Sequence, residues 1–283
     1  MSNIYNIGRI TYQEAIRHSL FYIVVSVSAV LLLISPLFCL FAFGEEVSMM
    51  REVGLATITF AGILIAILTA SFVITNEIEN LTAIMLLAKP VRRSEFIIGK
   101  FMGIIFTILV AFLFLTIIFI ISYWLKEGLP SIQDNFREGR YLKDSSVVRD
   151  TFIFFRNDIL ILLKGIYSCF LQVAILTSFA VVFSTYFPLV LSGIGCFFIL
   201  IIGNISDYIS HSLNQRPSII SNILAWIGSS ILPHFSILNT SSLVTTKSIL
   251  SIKYLFLTSF YAIIYVSFVL YLTIIIFSKR EIK

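Results

Sequence analysis

The sequence predicts an all-α integral membrane protein, on three observations. Only 12% of the 283 residues are charged, about half of what a soluble domain carries. Apolar residues make up 58% of the chain, and the mean hydropathy is +1.00. The apolar residues also fall into runs of about 20 without Asp, Glu, Lys or Arg, the length that crosses a ~30 Å hydrocarbon core as helix. Six such runs occur, at about 19–43, 54–75, 101–125, 165–187, 188–205 and 254–277. The expected architecture is a single transmembrane domain over 1–283: six transmembrane helices, an N-terminal interfacial helix, a cytoplasmic helix between the second and third spans, and a re-entrant or interfacial outer helix.

Residues 1–18 precede the first span and are not apolar enough to be one. Ile7, Ile10, Thr11 and Ala15 recur at helical spacing, with Arg9, Gln13, Glu14 and Arg17 opposite, which predicts an amphipathic helix on the inner leaflet. The first span is too long, and lacks the small-residue cleavage pattern, for a removed signal peptide. In the second span Gly62, Ala66 and Ala70 recur every four residues, and Gly99 and Gly103 repeat the spacing at the start of the third. Small residues at this interval let helix backbones approach closely.

The fourth and fifth spans abut at Phe187-Pro188, where Pro188 breaks the helix and leaves a tight turn. The segment 126–164 offsets seven basic residues with six acidic ones, Asp158 among them, and ends in an apolar stretch, 151–155, expected to lie along the outer interface. Residues 218–232, bounded by Pro217 and Pro233, form an apolar stretch too short to cross, hence the re-entrant or interfacial expectation. Cys39, Cys169 and Cys196 all fall within spans, an odd number at spacings that suit neither a disulfide framework nor a metal site.

Charge placement orients the chain. With six spans both termini share a side, and nine of the twenty Lys and Arg lie in the short segments 1–18, 76–100 and 278–283. By the positive-inside rule those segments are cytoplasmic. The basic excess of +5 then speaks for orientation and anionic lipid contact rather than nucleic acid. The expected location is a bacterial plasma (inner) membrane, multi-pass, with both termini cytoplasmic.

Several chemistries lack their residues. No span carries a carboxylate, Lys, Arg or His near its middle, which argues against a gradient-driven carrier. Gln172 is the one strongly polar group well inside a span and suits a helix–helix hydrogen bond. No His-Glu-x-x-His or Gly-x-Ser-x-Gly occurs, and Gly99-Lys100 is followed by Phe101 instead of Ser or Thr, so no phosphate loop exists. Asp207 and His211 stand four apart and read as a hydrated pair. The expectation is a non-enzyme without catalytic residues, metal or cofactor.

The segment 76–100 is the long polar interruption of the first 125 residues. Asn76 with Glu79 makes a capping-box-like start, and Glu77 adds negative charge to the first turn. Ile78, Leu81 and Met85 follow on one face, Pro90 stops the helix, and Lys89, Arg92 and Arg93 form a basic cluster. Ser94 can cap the next helix with Glu95 in its first turn, and Gly99-Lys100 carries it into the membrane.

Glu77-Ile-Glu79, Leu86-Leu-Ala-Lys-Pro90, Arg93-Ser-Glu-Phe96 and Gly99-Lys100, in this order, resemble the signature of type 2 ABC (ATP-binding cassette) exporter permeases. They are most similar to the six-span subgroup that includes the nitrous-oxide-reductase maturation and gliding-motility permeases. Thr11-x-x-Glu14-x-x-Arg17, Ser184-Thr185 and Leu232-Pro-His-Phe-Ser-Ile-Leu-Asn239 resemble further stretches of that family. The resemblance implies a transmembrane permease subunit of an exporter, with residues 77–88 as a coupling helix docked on a separate cytosolic ABC ATPase. Glu77, Ile78, Glu79, Leu81, Met85, Lys89, Pro90, Arg92, Arg93, Glu95, Gly99 and Lys100 would form the coupling face, with Thr11, Glu14 and Arg17 beside it. ATP and Mg would reside on the ATPase, and a second permease copy or paralogue would complete the assembly. An ATPase-coupled membrane scaffold or mechanotransmitter that moves no solute is the alternative.

Overall fold

The computed structural model of the chain describes residues 2–38, 46–79, 93–128, 145–214, 235–238 and 252–279; the side chains at 2, 38, 75–79, 93, 127–128, 145–155, 205–214, 236–237 and 278–279 lie outside that description. Every described element is helical. In chain order they are α1 (Ser2–Arg17), α2 (Ser19–Phe38), α3 (Glu46–Glu79), α4 (Arg93–Tyr123, extended by a wider π turn over Trp124–Gly128), α5 (Ser145–Ser184), α6 (Leu189–Asn214), the single turn α7 (Phe235–Leu238) and α8 (Ile252–Lys279). Five are long and apolar enough to cross a membrane: Ser19–Leu37, Glu46–Ile74, Ser94–Lys126, Arg156–Ser184 and Ile252–Phe277. The fifth expected span corresponds to a shorter apolar stretch, Leu189–Asn204, within α6.

Contacts fix the helix directions. Gly54 faces Phe119 and Gly62 faces Phe112, so α3 and α4 are antiparallel. Arg51 meets Asp158 and Gly62 meets Val173, so α3 and α5 run the same way. The chain reverses at 185–188, where the amide of Thr185 donates to Val182 O and that of Phe187 to Phe183 O; Pro188 has no amide hydrogen to continue the helix. Tyr167 bonds Ser259 and the Tyr186 hydroxyl donates to Ile276 O, which sets α8 parallel to α5. α2 starts beside Phe72, near the end of α3, and farther along Ser122 donates to Leu32 O, so α2 runs with α4. From α2 to α8 the long helices therefore alternate in direction, α6 included. Both ends of the described chain come to one end of the bundle, where Asn3 donates to Glu95 at 3.4 Å and Phe96 stacks on Phe277. This is called the near end below, and the opposite one the far end.

The core lies where α3 and α5 cross the middle. Their best apolar stretches are 67% and 56% buried, against 22% for α2 and for α8. The small-residue stripe explains the closeness: a Cβ on Gly62 would lie 2.4 Å from the Phe112 ring, and Ala66 and Ala70 are fully buried. Ser71 of α3 also bonds Ser192 of α6. Thr107 bonds back to Gly103 O and Thr177 to Val173 O, so the core carries these two hydroxyls satisfied.

The helices overrun the spans inferred from sequence. α3 begins at Glu46 instead of 54, and α5 begins at Ser145 instead of 165. Residues 151–155 thus belong to the helix that becomes the fourth span, not to a separate interfacial segment. The physical reason is that a charge ends a lipid-exposed run but need not end a helix. Arg51 and Asp158 are buried against one another, so both helices pass through them. At the other end α3 continues to Glu79. Glu77, Ile78 and Glu79 form its last turn, and Asn76 caps no separate helix. The expected re-entrant helix at 218–232 lies outside the described residues.

Candidate coupling face and a buried ion pair

At the near end the chain builds a two-helix unit from α1 and the first turns of α4. They run side by side in the same direction: Asn3 reaches Glu95, Ile7 lies over Gly99 and Thr11 over Gly103, and Tyr12 meets Phe106 edge-on at 5.9 Å. The glycines make this possible. A Cβ on Gly103 would come within 2.6 Å of both Gly8 O and Thr11 Cβ, and one on Gly99 within 2.8 Å of Ile7. α1 is thus docked along α4 rather than laid on a leaflet by itself. Its docked face is Ile7, Gly8, Thr11 and Ala15; Ile10, expected on that face, is exposed. The chain then bends at His18, whose ring packs on Phe72 of α3.

The expected coupling residues divide into three groups. Leu81, Met85, Lys89, Pro90 and Arg92 lie outside the described residues, and so does the side chain of Arg93. Glu77, Ile78 and Glu79 are placed at the end of α3 by their backbone alone. The remainder are described fully. Glu95 is half-buried beside Asn3. Gly99 is packed under Ile7, and Lys100 is 2% exposed with its ammonium 5.7 Å from the centre of the Phe96 ring. Within the N-terminal set Thr11 is fully buried, Glu14 half-buried and Arg17 exposed. Gly99 and Thr11 therefore pack α1 against α4, and Lys100 is buried at the same end, whereas Arg17 stands open on the surface.

The far end holds a polar centre that the span count concealed. Arg51 Nη2 donates to Asp158 Oδ2 at 2.9 Å and to the Tyr123 hydroxyl at 2.8 Å. The Tyr123 hydroxyl donates in turn to the same carboxylate oxygen at 3.1 Å. The guanidinium carbon lies 5.7 Å from the centre of the Tyr123 ring. Arg51 and Tyr123 are 0% exposed and Asp158 is 5% exposed, so α3, α4 and α5 are joined by charges removed from solvent. A second pair, Lys126 Nζ to Glu46 Oε2 at 2.7 Å, ties α3 to α4 nearer the surface. The absence of charge noted near span middles says nothing of these span ends. The available signal was the apolar spacing of 152–163 around Asp158, which continues the fourth span's pattern; cutting runs at each charge discarded it.

Gln172 is buried as expected, yet among the described residues no hydrogen bond joins its amide to another helix. Asp207 and His211 fall on α6 four positions apart, their side chains outside the description. Among the described residues no group of three or more His, Cys, Asp or Glu is placed to hold a metal. In sequence comparison the chain matches no protein-family model and no curated protein.

Proposed function

We propose that this chain is the transmembrane permease subunit of an ATP-driven ABC transporter, working as an exporter and energised by a separate cytosolic ATPase. The observation that carries the reading is α3. This helix of 34 residues, about 50 Å long at 1.5 Å per residue, ends at the near end in Glu77-Ile-Glu79. At its other end it carries Arg51, clamped to α4 and α5. A push on the near end of an unbroken helix is delivered to the far end, because packed helices shift as rigid bodies instead of bending. The chain would thereby receive an ATPase stroke at 77–88 and convert it into a rearrangement of the far end.

Six passes, with 188–205 as the fifth, and a cytoplasmic near end complete the proposal. Alternating helix directions and the short basic segments at that end support it. The bound nucleotide and Mg belong to the ATPase, and a second copy or paralogue of the permease completes the pore. The scaffold reading draws on α5, whose 40 residues span about 60 Å, roughly twice a ~30 Å core. Such a helix could carry motion to a partner outside the membrane.

The test is purification of the tagged chain from its native membranes, followed by assay of the eluate for nucleotide hydrolysis. The proposal expects a co-purifying ATPase with a phosphate loop. Hydrolysis residing on the isolated chain, or no ATPase in the complex, would overturn it.

A further inference from the structure

The unit of α1 and α4 leaves an open groove of about 580 Å³ along the outer side of the two helices. Gly8 and Gly103 both line it, so there the groove has no side chain to fill it. Met102 and Phe106 form the α4 wall, 54% and 60% exposed. Among the described residues, Arg9, exposed on α1, is the single charged side chain of the lining, and no carboxylate lines the groove. The position of Arg9 is set by its neighbour Gly8, which packs on Gly99 and Gly103. That is the level at which α4 passes from the charged sequence 93–100 to the uncharged run that begins at Phe101. Phe106 lies farther along that run, and Gln13, one turn of α1 beyond Arg9, borders the same space. A cation thus sits at the polar boundary, with apolar surface extending from it toward the membrane interior.

We propose that this groove binds an anionic phospholipid, its phosphate against Arg9 and an acyl chain over Met102 and Phe106. Charge complementarity selects this occupant. A second copy of the chain would bring another Arg9 to the same face. The segment 80–92 carries Lys89 and Arg92 and no acid, so it repels rather than neutralises Arg9. The groove on the other side of α1, about 510 Å³, has both Glu14 and Arg17 in its lining and offers no such preference. The inference rests on the membrane-embedded reading, which resistance to alkaline carbonate extraction tests separately.

The experiment places a reporter in the groove of the full chain. Met102→Trp in a Trp124→Phe, Trp226→Phe background is reconstituted in vesicles doped with brominated-chain phosphatidylglycerol or brominated-chain phosphatidylcholine. Quenching by the anionic lipid is expected at a several-fold lower mole fraction than by the zwitterionic one. Arg9→Gln should remove about a fivefold preference, the equivalent of one lipid-facing cation, and leave quenching by phosphatidylcholine unchanged. Arg17→Gln should alter neither. Because Arg9 and Arg17 are exposed, neither substitution disturbs the core. Equal quenching by both lipids, a preference that survives Arg9→Gln, or a tryptophan that neither lipid reaches because protein covers it, would each overturn the proposal.

Discussion

Arg51 and Asp158, 107 residues apart in sequence, meet at 2.9 Å inside the far end of the bundle. Tyr123 closes the group from a third helix. A buried ion pair is costly to assemble, because both charges surrender their hydration, and costlier to break by halves. Arg51→Met should therefore destabilise the chain by about 3–5 kcal/mol, since Asp158 is left buried without its cation. The double variant Arg51→Met/Asp158→Leu should lose less than the single one, having no charge left to strand. Thermal unfolding in detergent measures both, and equal losses would show that the pair is not coupled.

Tyr123→Phe removes the hydroxyl that both accepts from Arg51 and donates to Asp158, while the ring remains. The expected cost is about 1–3 kcal/mol, the range for depriving buried groups of one partner. The same unfolding assay checks it, and a loss as large as that of Arg51→Met would mean that the ring's packing, not the hydroxyl, supports the centre.

The α1–α4 contact depends on two missing side chains. Gly103→Val would drive carbon atoms into Gly8 O and Thr11, neither of which can move without displacing α1. The bundle of α2 to α8 should still assemble. With the native cysteines replaced, cysteines at positions 3 and 95, whose side chains meet in the parent, should be joined readily by a short bifunctional thiol reagent and poorly in Gly103→Val. Undiminished crosslinking in the variant would contradict the close approach described above.

How much of this was legible beforehand follows from the kind of interaction concerned. Apolar length and Pro188 mark the helices and the turn at 185–188, because lipid and proline impose constraints that act residue by residue. The stripe of Gly62, Ala66 and Ala70 announced close packing but not its partners, Phe112 and Val173, since a helix face carries no address. Asp158 was concealed because its partner lies on another helix, and only tertiary contact makes a charge tolerable there. Lys100 and Thr11, which the resemblance implies as part of an ATPase-facing surface, are buried at the near end; which residues of a motif face inward depends on helix packing that the motif itself does not carry.

Orientation is open to direct assay. In a background lacking Cys39, Cys169 and Cys196, a cysteine at position 93 should resist a membrane-impermeant maleimide applied from outside, and one at position 140 should react. The reverse pattern would invert the bundle and remove 77–88 from the reach of any cytosolic ATPase.

The central claim is that motion enters at 77–88, and one substitution tests it most directly. By sequence spacing Leu81 shares a helical face with Ile78 and Met85, and burial of such a side chain in a partner's groove contributes about 1.5–3 kcal/mol. Leu81→Asp should lower co-purification of the ATPase with the tagged chain by tenfold or more, while Glu77→Gln, which disturbs only a charge at a helix end, should act far more gently. Membrane insertion should be unchanged in both, since neither lies in an apolar span. ATPase recovered with Leu81→Asp at the parent's yield would contradict the account.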